Sequence, residues 1–350
     1  MTTIAILFWA GVFLVFYTYL GYGILLWTLV KIREALRPAR RYEVPAEAPE
    51  VTLLIAAYNE QEIVAEKMAN CRALEYPASK LRITWITDGS TDRTVELLAA
   101  YPDATVLHDA RRGGKTAALN RALEHIRTPL VVFTDANTML NLEAVTEIVR
   151  CFEDPQVGCV AGEKRVADAG GAGAAATEGV YWKYESKLKE LDYRLYSAVG
   201  AAGELFAVRR GLWQTLPEDT LLDDFVCSML IASQGYKIAY CKEAYALETP
   251  SADMGEEGKR KKRIAAGGLQ SEGSGSTAPF FIAPIRSFAL PESRGMRGRP
   301  FGDRRSGRNA AERGIATVFK EKRMPRRHPF VLAGSVSRVL YSACLLYTSD

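Results

Sequence analysis

From Ile4 to Val30 the chain runs for 27 residues without a charged side chain. At about 1.5 Å per residue, a helix of that length is about 40 Å long, enough to cross a bilayer core with tilt. The segment predicts a transmembrane helix. A cleaved signal peptide is the competing reading, but Met1-Thr2-Thr3 offers no basic leader, the apolar run is too long, and no A-x-A site follows it. Lys31, Arg33, Arg37, Arg40 and Arg41 come next, which by the positive-inside tendency puts the C-terminal side in the cytoplasm. The expected layout is a single-pass protein of the cell (cytoplasmic) membrane, in contact with lipid. Residues 1–31 form the anchor and residues 32–50 a basic linker marked by Pro38, Pro45 and Pro49.

The rest has ordinary globular composition, 48% hydrophobic and 25% charged over 350 residues, which excludes collagen, coiled coil and disulfide miniprotein. The net charge of +4 is unevenly held: residues 271–350 carry 14 basic and 6 acidic side chains, leaving 31 basic and 35 acidic before them. The body is therefore mildly acidic, and no nucleic-acid partner is expected of it. Six widely spaced cysteines without a CxxC pair fit reduced thiols. With three histidines, a metal, if used, is expected to be a hard oxygen-bound ion, Mg2+ or Mn2+.

From Val51 short apolar runs alternate with helical stretches, the pattern of an α/β fold with a mostly parallel sheet and crossover helices. Strands are predicted at 51–58, 81–87, 105–107, 130–134, 157–162 and 204–208. Helices are predicted at 60–74, 91–100, 115–125, 142–152, 181–196 and 223–233, the last ended by Gly235. Gly170 to Ala176 reads as a loop or helix start; no apolar strand leads into it, as a dinucleotide fingerprint requires. In open sheets of this kind ligands gather at the carboxyl ends of the strands, where Asp88 and Asp135 fall.

Each motif at those ends has a bland reading. Asp88-Gly89-Ser90-Thr91-Asp92 is a turn in which Asp92 can cap the next helix. Gly113-Gly114-Lys115-Thr116 lacks the first glycine of a Walker A loop, because Asp109 stands there, yet Lys115 at a helix start can meet a diphosphate. Asp135-Ala136-Asn137 is an Asx turn or a set of oxygen ligands for a divalent ion. Asp223-Asp224 opens a helix, where the macrodipole favours acids. Arg260 to Ile264 is a solvated basic run or a membrane-surface patch.

In order and spacing, LLIAAYNE, ITDGSTD, GGKTAALN, FTDAN, LLDDF and RKKRI resemble the processive-type family 2 glycosyltransferases, which include cellulose, chitin, hyaluronan and poly-N-acetylglucosamine synthases. The resemblance covers residues 51–270 and the anchor. It implies a GT-A fold, a UDP-sugar donor, a glycan or glycolipid acceptor, and inverting transfer. By position, Ala57, Tyr58, Glu60 and Asp88 would hold the uridine, and Lys115 would lie near the nucleotide. Asp135 would coordinate Mg2+ or Mn2+, with Asn137 in place of the more familiar second acid. Asp224 resembles the general base, preceded by Asp223 where the family usually has Glu. Gly203 and Glu204, within GAAGELF, fall where the family shapes the acceptor site. Arg260-x-x-Arg263-Ile264 resembles Q(Q/R)xRW, which gives Arg263 a charge role at the donor.

After Gln270 a linker-like SEGSGST and a Gly/Arg-rich stretch replace the family's further transmembrane helices. The native frame is expected to end near Gln270, residues 271–350 to be a disordered or non-native extension, and channel helices or auxiliary subunits to be missing. Two other functions are carried alongside: a sugar-1-phosphate nucleotidyltransferase, and a non-catalytic membrane-tethered protein binding nucleotide, or RNA through the Gly/Arg tail.

Overall fold

A computed structural model describes residues 2–36, 42–166, 174–248, 262–263, 266–267 and 270, with side chains omitted at 166 and 174–182. The expectations for residues 271–350, for Arg37, Arg40, Arg41, Arg260 and Ile264, and for the loop at 170–173 lie outside the described residues. The helices are α1 (Thr2–Phe16), α2 (Tyr22–Leu36), α3 (Val64–Arg72), α4 (Thr94–Leu98), α5 (Lys115–His125), α6 (Ala144–Cys151), α7 (Ala174–Leu195) and α8 (Asp223–Ser233). The strands are β1 (Val51–Ala57), β2 (Leu81–Asp88), β3 (Ala104–Asp109), β4 (Leu130–Asp135), β5 (Thr138–Leu140), β6 (Val157–Val166), β7 (Leu205–Arg209) and β8 (Lys237–Glu248).

The eight strands form one sheet in the order β3-β2-β1-β4-β7-β6-β8-β5. β3, β2, β1 and β4 pair in parallel, as do β6 and β8, while β7 and β5 run antiparallel to their neighbours. Alternation along β1 divides the core: Val51, Leu53 and Ile55 face the layer that includes Val64, Met68 and Ile148, and Leu54 faces the layer that includes Leu119, Phe206 and Ile231. Each such buried aliphatic side chain contributes about 1.5–3 kcal/mol. The register aligns Ala56 with Asp135 and Ala57 with Thr87, so the chain leaves β1, β2 and β4 at one sheet edge.

Helices α5 and α8 occupy the predicted spans, while α3 and α4 are shorter than predicted. Before α3, residues 61–63 instead form a turn in which the Ile63 N–H donates to the Glu60 carbonyl at 3.0 Å, and before α4 residues 92–93 form a bend. β5 and the 12-residue β8 were not predicted. β8 lies beyond the last apolar run read as an element, and β5 is only three residues long, too short to show a period.

The anchor helix runs beyond its predicted end. It continues through a π-helical turn, Tyr17–Gly21, to Leu36, so the first five residues of the expected linker are helical. Thr2–Leu36 is long and apolar enough to cross a membrane. Helix α1 has no buried residue. α2, by contrast, docks on α7, burying Leu26 and Val30 against Leu191 and Leu195. The Tyr22 hydroxyl donates to Asp192 Oδ1 at 2.7 Å, the Tyr184 hydroxyl donates to the Tyr19 carbonyl at 2.7 Å, and Arg194 pairs with Glu34 at 2.6 Å.

Candidate active site

The site is assembled from the β2 end forward. Asp88, the last residue of β2, is buried, and its carboxylate accepts backbone N–H groups of the next loop, Gly113 at 3.0 Å and Gly114 at 2.7 Å, both on Oδ2. Those bonds pin the turn that opens α5, where Gly114 adopts φ 96°, a conformation that favours glycine. Lys115 is the first residue of α5, and its Nζ reaches Oδ1 of Asp135, the last residue of β4, at 2.7 Å.

Three carboxylates surround that ammonium. Partial removal from water works against its charge, but Asp135, Asp223 and Asp224 together hold it well above the ordinary lysine range. Asp223 and Asp224 form the first turn of α8. Oδ2 of Asp223 is buried with no hydrogen-bond partner among the described residues. Burial first, then Asp223, pushes the Asp224 carboxyl up to about 7, against Lys115 and the Phe225 N–H, which favour its ionised form. Gly203 passes close by: a Cβ there would stand 3.3 Å from Asp224 Oδ2 and 3.7 Å from Lys115 Nζ.

A cleft of about 510 Å3 opens beside this cluster, lined by Asn59, Glu60, Gln61, Glu62, Ile63, Asp92 and Asn137. Its wall is zipped from two loops. Asp92 accepts from the backbone of Thr94 and of Gln61, both at 3.0 Å, and Thr94 Oγ1 accepts from the Glu60 N–H at 2.8 Å. Burial, with Asp135 and Asp92 nearby, raises the Glu60 carboxyl. Ala57 is buried at the end of β1, whereas the exposed Tyr58 ring lies under the Arg112 guanidinium, 3.7 Å from its centroid.

The structure thus brings Lys115, Asp135, Asp223, Asp224 and Gly203 together, and places Glu60 and the exposed Asn137 on the adjoining cleft. Glu204 is engaged elsewhere, ion-paired at 2.9 Å to the buried Lys164, which also meets Glu248. Arg263 is helical and exposed. The same segment docks in front of α8: Gln270 Oε1 accepts from the Leu221 N–H at 3.1 Å, and a Cβ on Gly267 would stand 2.5 Å from Leu222 Cγ.

Lys67 escaped the sequence reading. It is fully buried beneath the turn that carries Asp135, donating to Thr134 Oγ1 at 3.2 Å and to the Thr138 carbonyl. Burial lowers its ammonium to about 8. Its signal was present in the chain, because Val64, Lys67, Met68 and Cys71 share the i, i+3, i+4, i+7 face of α3 and the other three are apolar. The carboxylate oxygens of Asp135, which already hold a lysine ammonium, and the unpartnered oxygen of nearby Asp223 are hard donors that fit a divalent cation of the Mg2+ or Mn2+ kind.

A parallel half-sheet joined to a mixed half, with acids gathered at the strand ends, defines a GT-A type α/β domain. The chain belongs to glycosyltransferase family 2: the family model described as "Glycosyltransferase like family 2" matches residues 48–267. Among curated proteins, it is 29% identical over 201 residues to a beta-monoglucosyldiacylglycerol synthase from Nostoc sp., covering 52% of this chain and 41% of that one. It is 27% identical over 229 residues to a poly-beta-1,6-N-acetyl-D-glucosamine synthase from Staphylococcus aureus, covering 62% and 54%. The matches thus span about half the length of those relatives. A solved mannosyltransferase from Pyrobaculum calidifontis, in complex with GDP-Man and Mn2+, superposes with a TM-score of 0.62 at 20% identity, covering 96% of this chain and 95% of that one, and shares the fold.

Proposed function

We propose that this chain is a membrane-anchored, inverting glycosyltransferase that moves a sugar from a UDP-sugar to a hydroxyl of a polysaccharide or glycolipid on the cytoplasmic face. The observation that carries the reading is the convergence of Asp135, Lys115 and Asp224 at one sheet edge, beside a cleft of about 510 Å3. The names of the two curated relatives support a glycolipid or polysaccharide acceptor.

The uridine would lie against Tyr58 and Glu60, with Ala57 closing the floor and Asp88 holding the loop beneath the diphosphate. Asp135 would hold a divalent ion, with Asn137 as a neutral oxygen ligand; Mn2+ or Mg2+ there would neutralise charge on the departing diphosphate. A sugar hydroxyl is a poor nucleophile near neutral pH, so a carboxylate within hydrogen-bond reach has to accept its proton. Asp224 is assigned that step. As the acceptor oxygen bonds to the anomeric carbon, its proton passes to Asp224 and the bond from that carbon to the UDP oxygen breaks. Lys115 and Arg263 then face the negative charge of UDP. Gly203 leaves space for the acceptor beside Asp224, while Asp223 and Glu204 shape the field around it.

The test uses the full chain in membranes or nanodiscs with a panel of UDP-sugars, with and without Mn2+. UDP release from one donor, increased by a glycan or glycolipid acceptor, is the expected result. Pyrophosphate exchange in place of UDP release would move the assignment to a nucleotidyltransferase, and binding without turnover of any donor would move it to a sensor.

A further inference from the structure

Lys115 occupies the ground where a divalent ion would have to sit. Its Nζ is 2.7 Å from Asp135 Oδ1, it lies in the fields of Asp223 and Asp224, and Gly203 borders it. Two cations cannot share one carboxylate nest at such distances without strong repulsion, which grows as their separation falls. An ammonium already bonded to Asp135 therefore competes with a metal for the same oxygen. The lysine is also placed to leave: it stands at the N-terminus of α5 with its side chain 37% exposed, and the backbone beneath it is pinned by Asp88. A helix N-terminus with a mobile ammonium is suited to a diphosphate.

We propose that Lys115 is an internal counter-ion that closes the metal seat until donor arrives. The donor diphosphate draws the ammonium off Asp135 and so opens that carboxylate to the divalent ion. Metal and nucleotide then bind with positive coupling: each is weak alone, and each strengthens the other by the same factor, as linkage requires. The buried Asp223 oxygen, which has no hydrogen-bond partner among the described residues, adds acceptor capacity to the nest for the divalent ion once the lysine has moved. This inference rests on the proposed donor and metal roles of the site and adds an order of assembly to them.

The experiment measures Mn2+ binding by the full chain in nanodiscs, following the spin-resonance signal of free Mn2+ with and without UDP. In the parent, Mn2+ alone is expected to bind weakly, with UDP tightening it by about tenfold or more. In Lys115→Met, Mn2+ alone should bind about tenfold more tightly than in the parent, and the UDP effect should shrink. Lys115→Arg, which keeps the charge, should retain weak binding of Mn2+ alone, and thermal unfolding of both variants verifies the fold. Equal Mn2+ affinity in the parent and in Lys115→Met would overturn the counter-ion role while leaving the metal site standing. No Mn2+ binding to either protein at saturating UDP would overturn the metal role of Asp135, and the counter-ion role with it.

Discussion

Nζ of Lys115 donates to Oδ1 of Asp135 across 2.7 Å, joining the first residue of α5 to the last residue of β4. The bond depends on residues that share no sequence neighbourhood with it. Asp88 fixes the Gly113-Gly114 backbone from the end of β2, and the parallel register of β1 with β2 and β4 brings both acids to one edge. The chemistry proposed for the chain is built on this edge, and five outcomes test it.

Asp224→Asn keeps the shape of the carboxyl group and removes its basicity. Turnover should fall by about 10^2 to 10^4, the range for losing a general base, while UDP affinity changes little. Steady-state rates beside calorimetric UDP titration decide it, and undiminished turnover would remove Asp224 from the base role.

The rate should depend on pH through the same group. Burial and Asp223 raise the Asp224 carboxyl to about 7, and only the ionised form accepts a proton. Turnover at saturating donor should rise as pH passes upward through about 7 and level off above it. A profile already flat from pH 5 upward would contradict the assignment.

Asp135→Ala should abolish the part of UDP binding that depends on Mn2+ and leave the metal-independent part. It also frees Lys115 from its partner, so residual UDP affinity without metal should be equal to or above that of the parent. Titration of UDP at several Mn2+ concentrations reads both effects.

Gly203→Ala places a methyl group 3.3 Å from Asp224 Oδ2, a contact tight enough that the carboxylate must shift. Displacement of a reacting group by a fraction of an ångström reduces turnover, here by about tenfold, through lost alignment rather than lost donor binding. The expected signature is a lower kcat with unchanged UDP affinity and little change in Tm.

Lys67 should show in stability. Its folded ammonium is lowered to about 8, below the unfolded value of about 10.4, so from pH 8 to 10 the unfolded chain binds more protons at this site and stability rises with pH. Lys67→Met removes that slope, so the parent should gain Tm relative to the variant between pH 7 and pH 10. Thermal unfolding of both proteins at pH 7 and 10 makes the comparison.

What the sequence carried and what it withheld divide along physical lines. The spans of α5 and α8 were legible because a glycine or an acid pair opens each and the apolar residues keep a helical spacing. The acids at the ends of β2 and β4 were legible because each closes an apolar run. The ion pair of Lys115 with Asp135 was not, since 20 residues and a strand crossing separate them. Nor was the engagement of Glu204 by Lys164, which arises from an antiparallel pairing of β6 with β7 that no local pattern announces. The docking of α2 on α7 was hidden for another reason: a helical stretch apolar all round, as Tyr22 to Val30 is, reads the same whether lipid or protein covers it.

That docking has a mechanical consequence. The helix that emerges from α1 is clasped along α7 by Leu26, Val30 and the Glu34 pair with Arg194, so side-chain contacts as well as the connecting chain tie the apolar helix to the α/β body. The body is mounted like a tool on a fixed post. In the proposed membrane-anchored protein, the height of its cleft above the lipid headgroups and the cleft's bearing would follow that helix, and an acceptor sugar would be reached only if delivered to that height.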